Sequence, residues 1–523
     1  MALVKPENYE NAVRELNEKS ELTHDTETTG LNWSGKDEVC GVGLMSTNTP
    51  FYFPFRHKAG ENLPIELLKD LCERVLTPDR VQLGFNLKFD IHMMAKEGMS
   101  PPKQIQDSQL SAHLLNENEP SLKMESLATK YLDPEAGKAE DELLDKLQSA
   151  FGGSRSTCKG NLHRLPPEDV EKYACQDLVT TRNLRDYHIQ PLSDWKAEQM
   201  YKDVCEYSLV LTRMEQNGLQ LDRDMIERNK KEALEHSNEC LKKASLSAGY
   251  PINLNSSKQC QAWLGVKSSA KDVLVPLAEN GNENASLLLD YRVWSKAVGT
   301  YYNPFLELCT EEGVLHPNLN QTGTIIRLSC SKPNLQAIPR GTNVYKIKNV
   351  FVARPGYVIV EIDFSQVEVC VMAHYTRDKE LMDMVLSGVN MHDRVSQLTG
   401  LPRDVSKRLN FSAQYGVGVA TFASTYGYTK KEATKYLKEY NAAMPGIKRF
   451  YYAAERKATR LGYVKLYTGR VQHFDGKKSP SHKASSRIVQ GAVAEMIRIA
   501  STRIDREVPQ ARQLLQVHDS LLF

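Results

Sequence analysis

At 523 residues, with 67 Lys and Arg against 65 Asp and Glu, the chain has almost no net charge and length for about three or four domain-sized units. Its 41% hydrophobic and 25% charged content is that of an ordinary globular protein, and the balanced total neither favours nor rules out nucleic acid, because a basic groove can coexist with acidic metal sites. Ten singly placed cysteines without a CxxC pair argue against a zinc module and a disulfide framework, and no apolar run approaches the roughly 18 residues of a membrane span.

Reduced thiols, and an N-terminal stretch MALVKPENYENAVRELNEKSEL without the apolar core of a signal peptide, both suit a cytoplasmic protein. Residues 1–190 alternate β-like runs (EVCGVGLM, PFYFPF, VQLGFN) with helical ones (PIELLKDLCERVL, SQLSAHLLNE), the pattern of an α/β domain. Within it, LTHDTETTGLN puts Asp25 and Glu27 two apart on a strand, so both carboxylates leave the same face. Adjacent acids repel, and hard divalent cations reconcile them, either one ion or two about 3.5–4 Å apart. Taken alone, D-x-E also reads as a solvated strand end. GFNLKFD adds Asn86 and Asp90, and YACQD adds Tyr173 and Asp177, each pair spaced i, i+4 as on one helix face if helical. Asp107, in DSQLSAHLL, reads as the cap of the following helix.

The middle of the chain, to about residue 300, turns mainly helical and charged, as in RDMIERNKKEALEHSNECLKKA, with breaks at NGLQLD and GYPINLNSS. Beyond 345, YVIVEIDF predicts a strong apolar strand ending on Asp363, an acid that alone would be a helix cap. VSKRLNFSAQYG and IVQGAVAEMIRIASTRID predict helices. Around the first of these, Arg403, Lys407, Phe411 and Tyr415 recur every four residues, two cations and then two aromatics along one stripe. Core aromatics beside solvated cations would produce the same stripe. A nucleoside triphosphate matches the order better, its phosphates against the cations and its base and sugar against the ring. LLQVHDSLLF closes the chain as a strand, a tight turn at His518 and Asp519, and a returning strand.

The blocks D-x-E, N-x-x-x-D and Y-x-x-x-D, in that order, resemble the proofreading 3′–5′ exonuclease domain attached to many DNA polymerases. That resemblance implies that Asp25, Glu27, Asp90 and Asp177 hold two metal ions and that Tyr173 orients the attacking water. DFSQVE, the helix from Arg403 and the closing HD resemble motifs A, B and C of family A DNA polymerases, of the DNA polymerase I or Klenow-like kind and phage type. The fold implied is α/β and α+β multidomain, with an RNase H-like exonuclease domain over 1–195 and a right-hand polymerase domain over 196–523. Within the latter the thumb would fall at about 224–300, the palm at about 301–390 and 485–523, and the fingers at about 391–484. RMEQNGLQLD, NLNSSKQ and LLLDYRVWSKAVGTYY match the thumb and its palm junctions.

By the same resemblance Asp363 and Asp519, with the backbone carbonyl of Phe364, hold two Mg²⁺, or Mn²⁺. Arg403 and Lys407 grip the triphosphate, Lys407 being also a candidate proton donor to pyrophosphate. Phe411 packs on the incoming sugar and base, Tyr415 sits beside the template position, and His392 reaches the phosphates. Glu368 excludes a ribose 2′-OH, with Gln366 beside it at the substrate. Arg327 and Gln336, in TIIRLSCSKPNLQAIPR, touch the duplex near the primer end, Gln490 lies in the minor groove, and His518 lies near the primer terminus or phosphates.

The chain departs from the family pattern at Cys370 (usually arginine), Ser412 (usually glycine), Ser520 (usually glutamate) and Ser486 (usually asparagine), none of them a metal ligand. Family members continue past the motif C turn, so the palm is expected to lack its C-terminal elements, a separate C-terminal polymerase fragment being one candidate to supply them. With no 5′-nuclease domain before residue 1 and no thioredoxin-binding insertion evident, the expectation is a phage replicative enzyme of the bacterial host cytoplasm. The leading reading is a DNA-templated DNA polymerase with proofreading, its partners primer-template DNA and dNTPs, without a membrane. The alternative is an exonuclease-only hydrolase until a separate polypeptide completes the palm. Glu368 disfavours a single-subunit RNA polymerase.

Overall fold

A computed structural model describes residues 2–339, 346–413, 416–476 and 479–523. The six N-terminal strands β1 (Ala2–Leu3), β2 (Glu21–Thr28), β3 (Val39–Met45), β4 (Phe51–Pro54), β5 (Val81–Gly84) and β6 (Gln104–Asp107) form one mixed sheet in the order β1-β4-β3-β2-β5-β6. All three β-like runs of this region become strands, and the two helical runs become Glu66–Arg74 and Ser108–Leu115. β3 is buried along its whole length, as a continuous apolar run covered on both faces requires. Gly41 is needed there because a Cβ would lie 2.0 Å from the Tyr52 hydroxyl, which crosses the strand. The long helix Pro167–Asp194 packs across β2, β3 and β4. All ten cysteines are free thiols, as expected.

The next helix, Glu198–Asn217, braces the rest of the molecule. The Tyr207 hydroxyl donates to Gln516 Oε1 (2.6 Å), Asn217 Nδ2 donates to the Gln513 carbonyl (2.9 Å), and Arg213 pairs with Asp505. Glu215, 1% exposed, accepts from Lys88, from His92 Nε2 (2.5 Å) and from the Leu319 amide (2.5 Å). The Trp33 ring stacks on His92 with centroids 3.9 Å apart and 5° between planes.

Helices Arg223–Ala248, Ser257–Leu264, Lys271–Glu279 and Glu283–Lys296 enclose a small core of their own around Ile252, Leu254, Leu274 and Leu288. Another, larger core runs from Tyr207 and Phe305 through Val371, Leu409 and Phe422 to Leu521, so the remaining helices and the C-terminal hairpin fold as one body. The hairpin strands Leu515–Val517 and Ser520–Leu522 join Glu361–Asp363 in a three-stranded antiparallel sheet with Ser520–Leu522 in the centre.

The strand expected over YVIVEIDF is shorter than its sequence suggests. Pairing reaches only from Val360, which exchanges backbone hydrogen bonds with Phe523, to Asp363. Tyr357, Val358, Ile359 and Ile362 are exposed, so this run is apolar without being buried. Its ladder is made on one side, with Ser520–Leu522. Asn86 also departs from expectation: it takes a left-handed conformation (φ 57°) ahead of the helix Lys88–Lys96, so it shares no helix face with Asp90. Among the described residues no helix is long and apolar enough to cross a membrane.

Glu215→Ala would leave the buried Leu319 amide without its acceptor and the half-buried Lys88 ammonium with the Leu319 carbonyl alone, a class of change that costs about 3–5 kcal/mol. The expected result is a lowered thermal midpoint, with amide protection lost first in Lys88–Lys96. A loss below about 1 kcal/mol, the size of one ordinary hydrogen bond, would contradict this.

Candidate active sites

Asp25 and Glu27 leave β2 on one face, past Thr23, where pairing with β5 stops. The strand beyond is free to take the helix Lys88–Lys96: Asp90 Oδ1 accepts from the Thr26 amide (2.9 Å) and from Thr26 Oγ1 (2.6 Å). Tyr173 and Asp177 stand one turn apart on Pro167–Asp194. Lys159 Nζ donates to the Tyr173 hydroxyl (2.6 Å) and to Glu140 Oε1 (3.0 Å). Asp107 caps Ser108–Leu115 as expected, accepting from the Gln109 and Leu110 amides, and takes the Leu87 amide as well.

Four acids packed together, Glu27 and Asp90 buried and Asp25 and Asp177 half-buried, hold their protons tightly. Burial raises Asp25 well above the carboxylate range, and Asp90, Glu27 and Asp177 push it further. Burial lifts Glu27 to about 7, Asp90 to about 7 despite its Thr26 hydrogen bonds, and Asp177 to about 8. The Lys159 charge opposes the rise at Asp25, Glu27 and Asp177. Among the described residues no three His, Cys, Asp or Glu side chains converge closely enough to hold an ion as they stand. The donor chemistry still suits one: hard, desolvated oxygens whose mutual repulsion a divalent cation relieves.

At the other site Asp363 ends its strand opposite Ser520, and the Phe364 amide donates to the Asp519 carbonyl (3.2 Å). His518 (φ 55°) and Asp519 form the hairpin tip, so the fold brings Asp363, Phe364 and Asp519 to the same sheet end. Gln366 (φ 51°) turns the chain into helix Val367–Thr376, and its Oε1 accepts from the Met391 amide (3.5 Å). Glu368 on that helix accepts from Arg327 Nη2 (2.5 Å). Gln336 Nε2 donates to the Gln516 carbonyl (3.1 Å), tying the segment after Arg327 to the hairpin.

Helices Met391–Thr399 and Arg403–Ala413 pack together and group His392, Arg403 and Lys407. Burial lowers the His392 imidazole, and the Arg403 and Lys407 charges lower it further. Arg403 Nε donates to Asp393 (2.5 Å), and His392 Nδ1 meets Asn410 Nδ2 (2.9 Å). Gln490 is half-buried on Ala484–Glu507, and His518 is exposed. Phe411 lies on Arg403–Ala413, but its side chain, like Tyr415 altogether, falls outside the described residues. The serines that depart from the motifs find local partners: Ser520 donates to Glu361 (3.1 Å) and Ser412 to the Tyr426 hydroxyl (3.1 Å). Cys370 and Ser486 are half-buried on helices. Sequence reasoning did not single out Thr26, Lys159, Glu215 or Asp393, and none carries a local signal beyond being polar.

The family model described as DNA polymerase family A matches residues 223–523, and the one described as 3′-5′ exonuclease matches residues 3–189. The chain belongs to DNA polymerase family A. An exonuclease domain precedes the family A polymerase domain. The chain is 28% identical over 561 residues to DNA polymerase I of Pseudomonas aeruginosa, covering 98% of this chain and 60% of that one. It is 26% identical over 579 residues to DNA polymerase DpoZ of Salmonella phage PMBT28, covering 96% of this chain and 90% of that one. Its fold is similar to that of the POL domain of Pol1 from M. smegmatis, in complex with DNA primer-template and dNTP, with a TM-score of 0.83 at 22% identity over 100% of this chain and 92% of that one. The family A chain thus spans 60% of the length of the P. aeruginosa relative. These matches do not favour the exonuclease-only alternative, and they lend no support to a separate C-terminal fragment.

The raised carboxyls have a consequence for stability. Unfolded carboxyls release their protons near pH 4, whereas in the folded family A chain Glu27, Asp90 and Asp177 hold theirs to about 7 or 8. The folded state therefore binds more protons across that window, and their stabilising contribution is lost as pH rises through it. In EDTA, Asp25→Asn with Glu27→Gln should raise the thermal midpoint over wild type, by a margin that grows from about pH 5 to about pH 8.5. A pH-independent margin would contradict the burial account.

Proposed function

We propose that this chain is a DNA-templated DNA polymerase that adds dNMPs to a primer 3′-OH and removes mispaired ends with its 3′–5′ exonuclease, replicating a phage genome in the host cytoplasm. The observation that carries the reading is the meeting of Asp363, Phe364 and Asp519 at one sheet end, apart from a second, more enclosed set of acids on β2 and two helices. The extensive mutual coverage with a phage polymerase supports the phage assignment.

Mg²⁺ is the proposed cofactor at both sites, held by Asp25, Glu27, Asp90 and Asp177 in one and by Asp363, Asp519 and the Phe364 carbonyl in the other. When bound it would supply Lewis acidity toward phosphate oxygens and lower the pKa of an attacking hydroxyl or water. The chain's own groups do the rest. Arg403 and Lys407 present positive charge and donors to the triphosphate, His392 adds a neutral imidazole donor, and Arg403 leaves Asp393 to do so. The primer 3′-OH loses its proton to solvent as its oxygen attacks the α-phosphorus, the bond to pyrophosphate breaks, and Lys407 is placed to give that leaving group a proton and regain one from solvent. Phe411 and Tyr415 would contact the nucleotide and the template position, and Gln366 would contact the substrate. Glu368 crowds a 2′-OH, and its release from Arg327 frees that guanidinium for the duplex beside Gln336, Gln490 and His518. At the other site Tyr173 orients water for attack on the terminal phosphodiester, the P–O3′ bond breaks, and a dNMP leaves.

The domain limits proposed for these roles are 1–195 for the exonuclease, about 224–300 for the thumb, 301–390 with 485–523 for the palm and 391–484 for the fingers. A labelled primer-template with dNTPs and Mg²⁺ separates the two sites. Asp25→Ala with Glu27→Ala should abolish 3′ trimming and keep extension, and Asp363→Ala should do the reverse. Loss of both activities in either variant would refute the division of labour, and no extension by wild type would refute the polymerase reading.

A further inference from the structure

The structure assigns to Lys159 a part in the exonuclease site: it positions the Tyr173 hydroxyl and serves as the site's own counter-cation until a divalent ion binds. The inference rests on reading the buried acids as a 3′–5′ exonuclease.

Lys159 opens the short 3₁₀ turn Lys159–Arg164 that leads into the helix bearing Tyr173 and Asp177. Cys158 (1% exposed) and Leu162 (2%) are buried on either side and anchor the turn, presenting Lys159 toward the acids. Its ammonium lies 2.6 Å from the Tyr173 hydroxyl, 3.0 Å from Glu140 Oε1 and 4.7 Å from the centre of the Tyr173 ring. An ammonium can only donate, so the Tyr173 oxygen must accept. Its single O–H is then directed away from the ammonium, with Asp177 one helical turn further along. Glu140, Lys159 and Tyr173 thus form a chain in which the ammonium donates at both ends. Without the ammonium the phenol is free to turn its proton away and accept from water instead, misaligning the water it should orient.

The second role follows from charge. The Lys159 ammonium sits 3.0 Å from Glu140 and against the Tyr173 hydroxyl on the helix that bears Asp177, and the charges of Glu27, Glu140 and Asp177 outweigh the burial that would lower its pKa. Four desolvated acids repel one another, and a neighbouring cation relieves them until a divalent ion does so more strongly.

The test uses the full chain, a single-stranded DNA oligonucleotide and Mg²⁺, with Lys159→Met, Lys159→Arg, Tyr173→Phe and the Lys159→Met/Tyr173→Phe pair. Lys159→Met should lower kcat for trimming about 10–100-fold, the range for loss of a residue that orients a ligand shell, with little change in KM. Lys159→Arg should recover most of that loss, since it keeps a charged donor. On the Tyr173→Phe background Lys159→Met should add less than about twofold, because both changes remove one unit. A readout independent of turnover is the thermal midpoint in EDTA and in Mn²⁺: Mn²⁺ should raise the Lys159→Met midpoint by more than that of wild type. Full kcat in Lys159→Met, a multiplicative loss in the pair, or an equal Mn²⁺ shift would overturn the inference while leaving the exonuclease reading intact. A wild-type chain that trims nothing would overturn both.

Discussion

One buried carboxylate joins the two ends of this molecule. Glu215 lies between the stretches matched by the exonuclease and polymerase models, and it binds Lys88 and His92 of the first and the Leu319 amide of the second. Burial would raise its pKa, but Lys88 and His92 outweigh that and hold it below the usual range, so it stays charged. A charge so placed is tolerable only with all its partners present, which makes the joint specific as well as strong. On one side it positions the helix that carries Asp90; on the other, Tyr207 of the same brace grips Gln516, three residues before Asp519. Both acid sets are therefore registered against one helix, Glu198–Asn217.

The two sets differ in their surroundings, and the difference suits their tasks. Glu27 and Asp90 are buried and Asp25 and Asp177 half-buried beside them, so each raises its neighbours' hold on protons and the set depends on nearby cations. Asp363 is exposed and Asp519 half-exposed at a strand end. Under the proposed function, that openness would leave room for a duplex end and a triphosphate, whose approach would remove water from the acids only when substrate is there. Arg403 on Asp393 and Arg327 on Glu368 are surface pairs that a phosphate or a primer end can displace at small cost.

Much of this was legible in the residues. The alternation of apolar runs predicted the α/β sheet, and the hairpin at His518 and Asp519 followed from two short apolar runs around a polar pair. The stripe from Arg403 and Lys407 onward reads directly off the helical period, and the two cations do lie on the exposed side while Leu409 is buried. What was not legible depends on contacts between distant segments. Asn86 matched a helical spacing but takes a left-handed turn, because the Asp107 carboxylate draws in the Asn86 and Leu87 amides before the helix begins. YVIVEIDF is apolar enough for a buried strand, yet burial is decided by what packs against it, which local sequence does not encode. Lys159 and Glu215 look like ordinary surface charges until the fold places them among opposite charges.

The central claim is that a single frame serves two reactions on one DNA end. The most direct measurement follows a labelled primer through time, with a matched or a mispaired 3′ terminus, given all four dNTPs and Mg²⁺ and this chain alone. The account predicts that the matched primer lengthens at once, whereas the mispaired primer first shortens by its mismatched nucleotide and then lengthens. Direct extension of the mispaired primer without shortening, or shortening never followed by growth, would contradict it.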